Sequence, residues 1–267
     1  MAGPPWLTGG GPSAGVVLAR PGLYKSLQIG ADRTGCQSAA PSARKEGRPL
    51  VDYAAARTNM VDCQLRTNKV RDGRLVRAFE TVPRELFVPE GQRSIAYVDE
   101  DLPLGNGRHL MEPMVLARLL QTADVSPEDL VLEVGGASGY GATVLAQLGA
   151  TIVSLESDQS LAAAAAEAHA KVGIDNVLLV EGPLAEGYAK QAPYNVILIN
   201  GAVGEIPTAI TDQLADGGRL VTVIRAGGEP GQAVLVQRRG DNVSSRVLFD
   251  AATPLLPEFE PTPGFVF

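Results

Sequence analysis

Apolar runs of five or six residues alternate with amphipathic stretches through most of this chain. Residues 130–134, 151–156, 177–181, 196–200 and 219–224 read as strands. In runs such as Val196-Ile197-Leu198-Ile199 both faces are apolar, which means a parallel sheet covered by helices. The helices expected between the strands are 139–148, 159–172, a short turn near 185–190, and 206–214. Upstream, 52–64 and 72–81 read as amphipathic helices, with Leu75, Val76 and Phe79 at helical spacing. Pro83 ends the second, Phe87-Val88-Pro89 marks an extended connector, and 97–113 is a loop-rich stretch containing Gly105 and Gly107. Residues 114–123 form a further helix before the Ser126-Pro127 turn. Downstream, 233–239 and 244–249 form an antiparallel ending joined by Gly240-Asp241-Asn242. The fold class expected is α/β: a doubly wound, mostly parallel sheet with an N-terminal helical extension and an antiparallel C-terminal end.

The first fifty residues do not share this patterning. Gly, Pro and Ser fill 19 of those positions, and six Lys/Arg against Asp32 and Glu46 give +4, while the remainder carries -11 of the total -7. Such composition cannot bury enough apolar surface to offset chain entropy, so disorder is expected there. A targeting peptide lacks its charged start, apolar centre and cleavage site. A flexible tail and a start of translation placed too early both fit, and the abrupt change at Val51 favours the second. The folded domain is therefore expected over 51–267, with helices and a substrate loop in 51–125 and a cofactor-binding core in 126–267.

The charge of the whole chain, -7 over 267 residues, argues against nucleic acid as a partner, because phosphate binding needs a basic face. No apolar run approaches membrane-spanning length. Cys36 and Cys63 match no zinc or redox spacing, and with only His109 and His169 no metal site is expected. A cytoplasmic monomer is the expectation.

The chemistry concentrates in Val131–Tyr140, VLEVGGASGY. A strand runs into a glycine-rich turn and then a small-residue helix, the first unit of a nucleotide-type α/β fold. Glu156 ends the next strand, 21 positions after Gly135, where such folds bind a ribose diol. The spacing Glu133-x-Gly135-x-x-x-Gly139 is not the dinucleotide pattern, which sets an NAD-binding protein aside and favours S-adenosylmethionine.

From Met60 onward the chain resembles the protein-L-isoaspartate O-methyltransferase family. The resemblance rests on MVDCQLRTNKVRDGRLVRAFETVPRELFVPE, on AYVDEDLPLGNG, on VLEVGGASGYGATVLAQLG, and on Gln213-Leu214-x-x-Gly217-Gly218-Arg219-Leu220-Val221. It implies S-adenosylmethionine as cofactor and methyl transfer to L-isoaspartyl or D-aspartyl carboxylates of damaged proteins. It places Glu133, Gly135, Gly136, Ala137, Ser138, Gly139, Glu156, Gly182 and Pro183 around the cofactor. Two loops depart from the family pattern. Where relatives read Q-T-I-S-Q-P, this chain reads Arg108-His109-Leu110-Met111-Glu112-Pro113, so two hydroxyls of the family's active site become His109 and Met111. Arg108 or protonated His109 can supply the lost donors. Where relatives have G-D-G, with an aspartate on the adenine amine, this chain has Gly182-Pro183-Leu184, with Glu181 or Glu186 as the nearby acids. Ala137 replaces a glycine, and its small methyl is expected to weaken the cofactor site modestly. The departures leave open a methyltransferase of different acceptor, or a noncatalytic descendant.

Overall fold

The computed structural model describes residues 51–225 and 230–259; the expectations for residues 1–50, Cys36 included, fall outside the described residues. Asp52 caps α1 (Tyr53–Met60), which runs on without a break into a π-helical turn, Val61–Leu65. Asp72 caps α2 (Gly73–Thr81) by accepting from the N–H groups of Arg74 and Leu75, which offsets the unpaired donors of a helix start. Helix α3 spans Pro113–Ala123, and a proline at its first position costs no hydrogen bond. Cys63 is not a free thiol.

Strands β3 (Leu130–Val134), β4 (Thr151–Glu156), β5 (Val177–Glu181), β6 (Tyr194–Val203) and β7 (Leu214–Ile224) are parallel; β8 (Gln232–Arg239) and β9 (Asn242–Asp250) close the sheet antiparallel. The order is β5-β4-β3-β6-β7-β8-β9, so the winding direction reverses between β3 and β6. Alternate residues feed two cores. Val196 and Leu198 of β6 face the core built with α1 to α3 and α4 (Tyr140–Gln147), whereas Ile197 and Ile199 face the one holding Leu184, Ile210 and Phe259. Both faces are thus covered, and the doubly wound sheet expected from the apolar runs is the one present. Among the described residues no helix is long and apolar enough to cross a membrane.

Three local expectations need correction. The loop-rich stretch holds a hairpin, β1 (Leu102–Gly105) with β2 (Arg108–Leu110). Its turn is Asn106-Gly107, both at positive φ (51° and 73°), the left-handed pair that two-residue hairpins favour. The helix expected over 206–214 shrinks to α6 (Thr208–Thr211), because Leu214 already pairs with Tyr194 as the start of β7. The connector is extended at Val88 but flanked by 3-10 turns, Arg84–Phe87 and Glu90–Ile95.

Arg84 fixes the hairpin to the domain. Fully buried, it donates from Nε to the Ala96 carbonyl (2.7 Å) and from Nη2 to that of Met111 (2.8 Å). Its guanidinium lies 4.7 Å from the centre of the Tyr140 ring, a cation–π distance. The volume-matched substitution Arg84→Met leaves two buried carbonyls without donors, at about 1–3 kcal/mol each. We expect a melting temperature lower by several degrees; a shift within one degree would show that the carbonyls find other partners.

Candidate functional site

The crevice beyond the carboxyl ends of β3 and β6 is where open α/β sheets bind ligands. The chain leaves β3 through a turn that reverses direction within five residues. Gly135 (φ +82°) and Gly139 (φ +89°) take left-handed backbone that glycine adopts without a Cβ clash, and Gly139 caps α4. Ala137 sits in the same region, φ +48°. The cost of alanine here is therefore backbone strain, on the order of 1 kcal/mol, rather than the size of its methyl. Ser138 turns away from the crevice: its hydroxyl donates to the Phe87 carbonyl at 2.6 Å. His169 packs beneath the turn, with Nε2 3.0 Å from the Gly139 carbonyl.

Two buried carboxylates end the central strands. Glu133 accepts from Ser154 Oγ (2.7 Å) and Asn200 Nδ2 (2.9 Å), bridging β3, β4 and β6. Gly136 must be glycine for this network, since a Cβ there would lie 2.1 Å from Ser154 Oγ. Burial pushes the Glu133 carboxyl up to about 7, against the opposing pull of the Ser154 and Asn200 donors.

Glu156 is placed where a ribose-binding acid is expected, and in this structure its partner is Arg108. The two side chains are 4% and 3% exposed and pair bidentately, Nη1 to Oε1 and Nη2 to Oε2, both at 2.8 Å. The N–H groups of Ala137 (2.6 Å), Ser157 (2.8 Å) and Asp158 (2.9 Å) also donate to Glu156. Beside this pair Asn106 Nδ2 donates to Asp158 Oδ2 (2.7 Å). The Ser160 and Asn106 donors hold the Asp158 carboxyl down at about 2. The hairpin is thereby latched over the end of β4.

The C-terminal segment completes the cover. Ala202 N–H donates to the Pro254 carbonyl, Leu256 N–H to that of Ala202, and Gly204 N–H to that of Phe259. Leu256 and Arg108 are what a Cβ on Gly135 would meet, at 3.4 and 3.1 Å. His109 and Met111 line a cavity of about 10 Å³ with Asp101, Asn200, Thr253 and Leu256. Ligand sites are roughly 300–1,000 Å³, so this cavity is far smaller than one, and on the cofactor side Arg108 occupies Glu156. Gly182 donates its N–H to the Glu156 carbonyl, and Pro183 is exposed. Glu181 and Glu186 are exposed as well, whereas Glu258, which sequence reasoning passed over, accepts the Leu184 N–H at 2.8 Å. Leu256 was also missed, because nothing local in Pro254–Phe259 signals a contact with β6. Glu112 gathers with Asp99, Glu100 and Asp101; burial, then these like charges, push its carboxyl to about 7. Among the described residues no three acids, histidines or cysteines are placed to hold a metal.

The residues of the cradle fit S-adenosylmethionine, with Arg108 standing on the acid that would face its ribose. The left-handed turn, the buried Glu156 and the switch-point crevice are what a nucleoside ligand requires, and in this conformation Arg108 is paired with Glu156.

The chain matches the family model for protein-L-isoaspartate(D-aspartate) O-methyltransferase over residues 56–252. It is 42% identical to a protein-L-isoaspartate O-methyltransferase of Methanoregula boonei, covering 68% of this chain and 83% of that one. A second relative of that name, from Anaeromyxobacter, is 40% identical over 77% of this chain and 84% of its own. A solved protein-L-isoaspartate O-methyltransferase superposes with TM-score 0.66 at 24% identity, over 75% of this chain and 65% of that one. A Plasmodium falciparum structure of a putative member, in complex with S-adenosyl-L-homocysteine, gives 0.63 at 18% identity over 77% and 98%.

The raised carboxyls set a pH dependence of stability. Between about 4.5 and 7 the folded protein keeps on Glu133 a proton that the unfolded chain releases, so stability falls as pH rises through that window. Glu112 acts in the same sense; Asp158, held at about 2, acts oppositely but only below about pH 4. The melting temperature should fall from pH 5 to pH 8, with buried His169, held below its usual value by desolvation, opposing the fall, and Glu133→Gln should flatten the profile. A profile unchanged by Glu133→Gln would mean that this carboxyl does not hold its proton.

Proposed function

Because the chain belongs to the protein-L-isoaspartate(D-aspartate) O-methyltransferase family, we propose that it methylates the free carboxylate of L-isoaspartyl or D-aspartyl residues in damaged proteins, which in an isoaspartyl residue is the α-carboxylate. S-adenosylmethionine is its cofactor, supplying when bound a methyl group on a sulfonium that a carboxylate takes directly. The observation that carries this reading is the strand-turn-helix unit at Val131–Tyr140, with Glu156 buried beside it at the switch point of the sheet.

The chemistry needs little from the protein. An acceptor carboxylate is already ionised at neutral pH, so no general base is required. The residues have to bind, orient and exclude water, which accounts for several kcal/mol of barrier. In our reading Gly135, Gly136, Ala137 and Gly139 carry the cofactor on their backbone, over Glu133, and Glu156 takes the ribose hydroxyls. Ser138 secures the turn, and Gly182 and Pro183 flank the adenine side. Arg108, His109 and Met111 form the acceptor side. A methionine thioether cannot donate a hydrogen bond to a carboxylate, so the acceptor is oriented less well than by a hydroxyl. The substrates are proteins or peptides with isoaspartate, the protein acts as a monomer in the cytoplasm, and its acidic charge, -7, disfavours a nucleic-acid partner.

Two measurements test this. With Arg108→Gln as the background, so that loss of the Arg108 pair does not offset it, Glu156→Ala should weaken S-adenosylhomocysteine binding by about 1.5–3 kcal/mol, the range for a charged hydrogen-bond partner; unchanged affinity in calorimetry would put the ribose elsewhere. In a radiolabelled methyl-transfer assay on an isoaspartyl peptide, the wild type should be slow. His109→Thr combined with Met111→Ser should raise the rate on the order of 10²-fold, the scale for one oriented donor. A double variant slower than wild type would show that the present loop is itself the working arrangement.

A further inference from the structure

We infer that Arg108 exchanges partners: the ribose of the cofactor takes Glu156 from it, and the released guanidinium binds the acceptor carboxylate. This rests on the methyl-transfer reading above and assigns Arg108 as the residue that recognises the acceptor's charge.

The exchange follows from the occupancy of Glu156. Its two oxygens accept five hydrogen bonds, two from Arg108 and three from the N–H groups of Ala137, Ser157 and Asp158. A carboxylate offers about four lone-pair positions. A ribose diol therefore has no place on Glu156 while Arg108 holds it. The three backbone donors are fixed by the turn after β3 and by the start of α5 (Gln159–Val172). Arg108 is the one side chain among the four donating residues, and the one free to leave.

Buried polar atoms without partners point the same way. Arg108 Nε finds no hydrogen-bond partner among the described residues, nor do Asn200 Oδ1 and Thr253 Oγ1. The last two residues line the small cavity with His109 and Met111, and Leu256 links that cavity to Arg108 through the Gly135 backbone. A guanidinium displaced here is a buried charge without a counterion, which is strongly unfavourable. The acceptor carboxylate is the matching anion, and the planar fork of arginine reads both its oxygens at once. That supplies the donors that His109 and Met111 do not. It also imposes an order, because the acceptor meets a free Arg108 only after the cofactor is seated.

The test is equilibrium binding with the full chain, using a fluorescent isoaspartyl peptide with and without saturating S-adenosylhomocysteine. Wild type should bind the peptide at least tenfold more tightly with the cofactor product present; equal affinity in both states overturns the exchange. Arg108→Gln should bind S-adenosylhomocysteine at least tenfold more tightly than wild type and lose the cofactor-dependent gain in peptide affinity, with Arg108→Lys recovering part of that gain. Thermal melts check that each variant is folded, and the wild-type measurement decides alone if Arg108→Gln is not. If Arg108→Gln binds S-adenosylhomocysteine more weakly than wild type, Arg108 is a cofactor ligand and the exchange fails while the methyltransferase reading stands. If neither wild type nor any variant binds S-adenosylhomocysteine, the cofactor reading fails and the exchange with it.

Discussion

Two carboxylates buried at the carboxyl ends of neighbouring parallel strands, Glu133 and Glu156, have to be satisfied before this end of the molecule can close. An ionised carboxylate taken out of water is costly unless it is neutralised or paired. The two acids solve the problem differently. Glu133 keeps a proton to about pH 7 and collects donors from β4 and β6, so it fastens three strands at the switch point of the sheet. Glu156 takes a cation and three backbone N–H groups, and through them it fastens pieces that are separate in sequence. The first arrangement is scaffold. The second is held partly by a side chain on a hairpin, and that is where movement is cheap.

The departures of this chain from its family's loops are connected in space. Arg108 comes from the altered substrate loop, yet its partner is the acid of the cofactor side. Ala137 pays for a left-handed backbone and, with its N–H, supports the same carboxylate. Next to Pro183, the Leu184 N–H is taken by Glu258, brought by the C-terminal segment that also carries Leu256 against Gly201 of β6. Loop, turn and tail thus meet around Glu156.

What was legible in the sequence follows from how local each signal is. The strands β3, β4 and β5 and the helix α5 were readable to the residue, because long apolar or periodic runs bounded by Gly, Asp or Pro fix both type and ends. Asn106-Gly107 carried a hairpin signal that was passed over among the surrounding glycines. The early start of β7 was not legible, since Leu214 joins the sheet only through its pairing with Tyr194. Of the candidate site, the spacing singled out Gly135, Gly139 and Glu156, and the structure has the two glycines at positive φ and the acid buried at the end of β4. The bond from Arg108 to Glu156 spans 48 residues and the Leu256 contact with Ala202 spans more, and no local pattern encodes either.

The hold of Arg108 on Glu156 changes what cofactor affinity measures. A ligand that binds only when Glu156 is released has its apparent dissociation constant raised by the inverse of the released fraction. Each 1.4 kcal/mol by which the Arg108 pair is favoured therefore weakens apparent binding about tenfold. Hydrogen bonds to a carboxylate are worth roughly 1.5–3 kcal/mol each whether a guanidinium or a hydroxyl donates, and the bidentate pair adds to them the attraction of a second charge. Yet the pair also bears the desolvation of both ions, and replacing a buried ion pair is often close to neutral for that reason. The balance is therefore small enough to be tipped by a third charge. An acceptor carboxylate that pairs with the displaced Arg108 stabilises the released form and lowers the barrier to cofactor retention. By reciprocity, cofactor and acceptor then strengthen each other's binding by the same factor, and the arginine that holds Glu156 becomes the means by which both substrates are held in the site together.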